Sequence, residues 1–90
     1  MFVTSQGSAH GRFTRAIRAR NVFQAELAAL ELEGVSLEDA LQLVYLYAEA
    51  GSPKYERAVR RYLERWIVET EPSLKELAAT ARTLVEQRQR

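Results

Sequence analysis

An all-α protein, a compact bundle of about four helices over roughly 12–33, 36–50, 53–69 and 73–87, is predicted by three observations. No stretch sustains the apolar/polar alternation of a half-buried strand. Beyond the N-terminal stretch the only glycines, Gly34 and Gly51, fall at the ends of helical patterns. Ser36 and Ser73 each stand three residues before an acidic residue, the spacing of a helix N-cap and its first turn.

The first helical segment is expected from Arg12 to Glu33. Advancing ~100° per residue puts Phe13, Ala16, Ile17, Phe23, Leu27 and Leu30 in one arc. Gly34 is expected to stop it as a left-handed C-terminal cap. An alternative break at Asn21 rests on Gln24 three residues later, the spacing of a capping box. The sequence favours one helix with a kink. The second segment opens at Ser36 and closes at Gly51, and its "LQLVYLY" run is apolar nearly all round, as befits a helix with neighbours on several sides. It is the expected centre of the core.

The third segment starts at Ser52, with Pro53 at the first helical position where a missing N–H costs nothing. Tyr55, Ala58, Val59, Tyr62, Leu63, Trp66 and Ile67 form its apolar stripe. The fourth opens at Ser73 and is expected to turn Leu74, Leu77, Ala78, Ala81, Leu84 and Val85 inward. Links this short imply that each helix folds back antiparallel on the last. Residues 1–11 read as a flexible segment, and 12–90 as one domain.

Ninety residues with 47% hydrophobic and 28% charged side chains suit a single folded unit. Cysteine is absent, which excludes disulfides, thiolate metal sites and cysteine nucleophiles and fits a reducing compartment. The N-terminal sequence lacks a signal peptide's pattern, and no apolar run reaches the ~20 residues of a membrane helix, so a cytoplasmic protein without membrane contact is expected.

Net charge is only +1, but it is segregated. Residues 1–22 carry four arginines and no acid, and 23–52 carry six acids and no base. Residues 53–65 carry five bases against two acids, and the remainder balances four against four. Blocks of this kind invite pairing within the fold or with a charged partner.

Catalytic chemistry finds no footing. The lone histidine, His10, has no cysteine or second histidine to complete a metal site. Ser36, Ser52 and Ser73 are occupied as helix caps, and no Gly-rich phosphate loop occurs. No enzyme, metal or cofactor is expected. The informative residues are basic. Lys54, Arg57, Arg61 and Arg65 lie at steps of three, four and four and so form one stripe, while Arg60 sits between Glu56 and Glu64 and is expected to be neutralised. Arg12, Arg15 and Arg18 lie opposite Phe13 and Ile17, solvated and available to an acidic partner. Arg20 falls within the apolar arc, so it must emerge at an edge or pair with a glutamate of the second or third segment.

Three functions are weighed. The favoured one is a small non-enzymatic helical interaction module, holding a protein partner or a second copy through basic faces and apolar surface left on the second or fourth segment. The alternative is a nucleic-acid-binding accessory protein that uses the same arginines. "AGSPK" leading into a basic helix meets the helix-turn-helix pattern only in part, and a pI near 8.1 is low for that role. A small-molecule pocket among Tyr45, Tyr47, Tyr62 and Trp66 ranks last, since aromatics at helical spacing are usually core.

The stretch "RFTRAIRARNVFQAELAALELEGVSLEDALQLVYLYAEAGSPKYERAVRRYLERW" resembles short, all-helical uncharacterised proteins of high-GC bacteria, which share the arginine-rich start, the "AELAA" and "SLEDAL" helices and a "YERAVRRYLERW"-like helix. That resemblance implies a compact cytoplasmic bacterial protein and carries no active-site residues. Within it, "ALQLVYLYAEAGSPKYERAVRRYLERW" resembles one tetratricopeptide unit, though Ala58 falls about two residues late and such units work in arrays of at least three.

Overall fold

The computed structural model describes residues 8–88 as five α-helices with no strand among them. They are α1 (Ala9–Arg18), α2 (Val22–Glu31), α3 (Leu37–Ala50), α4 (Tyr55–Thr70) and α5 (Leu74–Arg88). The expected first helix is therefore two. Arg20 adopts a left-handed φ of 59°, the Asn21 N–H donates to the Ala16 carbonyl at 2.9 Å, and that of Arg20 donates to Ile17 at 3.0 Å. This paired pattern closes α1 as a Schellman motif. Asn21 then caps α2, its Oδ1 accepting from the Gln24 N–H at 3.0 Å.

The break rotates the helical phase, which corrects the expected arc. Phe13 and Ala16 are buried as anticipated, but Phe23, Leu27 and Leu30 are 65, 41 and 82% exposed, and Ala25 and Ala28 take the inward face. Counting 100° per residue fails across a left-handed residue followed by an extended one. Two alanines at the contact let α1 and α2 close into a tight antiparallel hairpin, with Arg12 at its open end paired to Glu31. Two boundaries also move. α1 starts at Ala9 under a Ser8 cap, inside the segment expected to be flexible; positions 1–7 of that segment lie outside the described residues. α2 ends at Glu31, with an extended Leu32 after it, so Gly34 does not serve as its cap.

The signals at Ser36, Gly51 and Ser73 are realised. Ser36 Oγ accepts from the Asp39 N–H at 3.0 Å, Gly51 turns left-handed with φ 64°, and Ser73 and Glu76 exchange the two bonds of a capping box at 2.8 and 3.1 Å. The start expected at Ser52, with Pro53 at the first helical position, moves: Ser52 Oγ accepts from the Lys54 N–H and the Ser52 carbonyl from the Tyr55 N–H, so Ser52–Lys54 form a turn and the helix proper begins at Tyr55.

α3 is the spine. One side gives Leu46 to a cluster with Phe13, Ala16, Ala25 and Ala28; the other gives Val44 and Tyr47 to a cluster with Tyr55, Tyr62 and Leu84. α4 returns antiparallel along α3. α5 departs from expectation, because it packs chiefly on α3 rather than back on α4. Its Leu84 is buried, whereas Leu74, Ala78 and Val85 face outward. The envelope measures 47 × 28 × 16 Å, so little of α5 can be enclosed. No described helix is long and apolar enough to cross a membrane.

Candidate functional site

The α2, α3 and α4 helices enclose an open groove of about 550 Å³. Ala29 and Leu30 come from α2, Ala40, Leu43 and Tyr47 from α3, Ala58 and Tyr62 from α4, and Val35 from the α2–α3 link. The groove owes its openness to small side chains: Ala29, Ala40 and Ala58 sit where three helices approach, and none reaches far enough to fill the space between them. Its wall continues along the outside of α2 as the stripe Phe23, Leu27, Leu30, one helical step of four and one of three, with Leu30 common to both.

The rim is basic. Lys54, the residue that caps α4, and Arg57, Arg61 and Arg65 within it all line the groove, because residues three and four apart along a helix share a face. Their electrostatic states differ. Lys54 Nζ donates to Glu26 Oε2 at 2.8 Å, and Tyr47 Oη donates to the same oxygen at 2.6 Å. The Lys54 bond, and next the Tyr47 bond, hold the Glu26 carboxyl below its ordinary value and outweigh the opposing effect of burial. Burial first, and the carboxylate second, raise the Tyr47 hydroxyl well above its usual range. Arg65 Nη1 donates to the Val35 carbonyl at 2.6 Å while Nε meets Glu69 at 3.0 Å, so this side chain clamps the α2–α3 link to α4. Arg57 and Arg61 make no ion pair or hydrogen bond among the described residues.

The seven basic candidates therefore separate. Lys54, Arg57, Arg61 and Arg65 come together on the groove, but Arg12, Arg15 and Arg18 belong to α1 and are not part of it. Arg12, expected to be available, is paired with Glu31. Arg20 emerges exposed and meets Glu49 of α3 at 2.7 Å, the kind of partner its position called for. Arg60 leans toward Glu56 at 3.8 Å. The exposed apolar surface lies on α2, on α4 at Ile67 and Val68, and on α5 at Leu74 and Val85; α3 spends its own in the two cores.

The groove residues that sequence reasoning missed are Glu26, Ala29, Leu30, Val35, Ala40, Leu43 and Ala58. Only the Asn21 capping signal could have exposed Leu30, by resetting the phase of α2. The four aromatics considered as a pocket do not share one. Tyr47 and Tyr62 border the groove from the core, and Tyr45 lines a separate cleft of about 290 Å³ with Arg20, Glu49 and Gln87. His10 Nε2 lies 3.3 Å from Asp39, and no group of three or more potential metal-ligating side chains occurs among the described residues. Against protein-family models, curated proteins and solved structures, the chain finds no match.

Proposed function

We propose that this protein is a small non-enzymatic helical interaction module whose α2–α3–α4 groove holds a helical segment of a protein partner. The observation that carries the reading is the combination of an open apolar floor with two arginines, Arg57 and Arg61, that have no partner among the described residues. Grooves of roughly 300–1,000 Å³ with a few polar groups at the edge are common binding surfaces. Amphipathic helices bind such grooves through anchors spaced one turn apart. The exposed Phe23, Leu27 and Leu30 extend the apolar surface beside it.

The second reading, a nucleic-acid accessory protein, draws on the same Arg57 and Arg61. It is disfavoured because Lys54 and Arg65 are already engaged and the floor between the helices is apolar. Phosphate binding gains strength from many cations acting together. One experiment separates the two. An apolar dye should bind the wild type and be lost from a Leu27→Gln/Leu30→Gln variant of unchanged helicity, with light scattering run on the same samples. A monomer that binds no dye would refute the docking reading. Binding of mixed-sequence DNA or RNA that weakens log-linearly with salt would replace it with the second.

A further inference from the structure

We infer that the groove's partner is an acidic amphipathic helix: apolar anchors along one face and two carboxylates one turn apart on the flank that meets α4. The inference rests on the docking reading above and adds the partner's chemistry. It comes from a balance of charge inside the groove. Glu26 is the sole acid among the lining residues, and its carboxylate already accepts from Lys54 and Tyr47. Arg65 is spent on Val35 and Glu69. Two positive charges remain, both exposed at the edge of the apolar floor, where a partner's carboxylates can reach them in charge-assisted hydrogen bonds.

The spacing of those charges defines the ligand. Arg57 and Arg61 are four residues apart on α4, which sets them about 6 Å apart along the axis. Carboxylates at i and i+4 of a partner helix running along α4 have the same separation. The floor made by Ala29, Leu30, Val35, Ala40 and Leu43 would then take the partner's anchors at i, i+3 or i+4, and i+7. A nucleic acid would leave that floor unused. A second copy is a poorer fit, because its own exposed stripe lies on α2, where Glu26 is committed to Lys54 and Glu31 to Arg12. Neither carboxylate is available to neutralise Arg57 and Arg61.

The test uses the full chain, ¹⁵N-labelled, and three synthetic helical peptides of one scaffold. The first carries leucines at i, i+4 and i+7 with glutamates at i+1 and i+5 on the flank; the second has those glutamates replaced by glutamine; the third has the leucines replaced by glutamine. The acidic peptide should bind with shifts centred on the groove, about tenfold tighter than the glutamine-flanked peptide, and the leucine-free peptide should not bind. Arg57→Gln/Arg61→Gln, a neutral change at two exposed side chains, should remove the tenfold preference for the acidic peptide. Equal affinity for the acidic and glutamine-flanked peptides, unaltered by that variant, would overturn the acidic partner while keeping a docking groove. Failure of all three peptides, or tighter binding of a mixed-sequence duplex that competes at the same residues, would overturn both. A dimer through α2 that blocks the groove would overturn the inference in favour of self-association.

Discussion

Replacing Leu84 by alanine should detach α5 while sparing the α1–α2 hairpin. Leu84 is 2% exposed, one of the three largest fully buried side chains, and packs among Val44, Tyr47, Tyr55 and Tyr62. Burying such a leucine and then truncating it costs about 2–5 kcal/mol, depending on how far the site collapses. Leu84 is the one buried side chain of α5, whose other faces are largely open, so partial collapse is available and a loss near 3 kcal/mol is expected. For ninety residues the total stability is of the order of 5–13 kcal/mol, which makes the loss a large share. The local anchors act through the same place: Tyr55 Oη donates to the Leu84 carbonyl, and the Arg88 guanidinium stands 5.2 Å from the Tyr55 ring centre. Residue-resolved amide exchange should show protection falling first and furthest over 74–88, with urea unfolding giving the total. Leu74→Ala, at a position 83% exposed, should cost under about 0.5 kcal/mol. A small effect at Leu84, or protection lost equally in α2 and α5, would refute the view that one side chain anchors this helix.

Asn21→Ala reads the break between α1 and α2 by its sign. An uninterrupted helix would gain a few tenths of a kcal/mol from the alanine, whereas loss of an N-cap costs about 1 kcal/mol, and a lowered Tm is expected. Arg65→Ala should lower stability by about 1–2 kcal/mol in urea titrations, because the Val35 carbonyl loses a charged donor; Arg57→Ala and Arg61→Ala should each change it by less than about 0.5 kcal/mol. Glu26 supplies a pH test. Its folded-state pKa is depressed, so its contribution is complete above the ordinary 4.5 and disappears as pH falls through the lower folded value. The stability gap between wild type and Glu26→Gln should therefore be constant from pH 7 to about 5 and narrow below 4.5. A gap that widens on acidification would contradict the Lys54–Glu26–Tyr47 arrangement.

Local chemistry made much of the architecture legible. Ser36, Gly51 and Ser73 cap helices through bonds between residues three to five apart, so their signals need no knowledge of the rest of the chain. The all-round apolar character of "LQLVYLY" likewise pointed to α3 as the helix with neighbours on several sides. The α1–α2 break was written there too, at Asn21 and Gln24, but it competed with an apolar period that ran plausibly through it. Residue type favours neither a left-handed Arg20 nor a stop at Glu31, and both came from how the hairpin closes.

The site was legible only in part. Helical spacing alone placed Lys54, Arg57, Arg61 and Arg65 in one stripe along α4 and the residue that caps it. Which of them are spent could not follow from it, since Glu26 is 28 residues from Lys54 and Val35 is 30 from Arg65. Sequence by itself determined the helical class, most helix starts and the basic stripe, because those depend on interactions within a turn or two. Tertiary structure decided the phase of α2, the course of α5 and the groove, because exposure, pairing and open space depend on where distant helices come to rest.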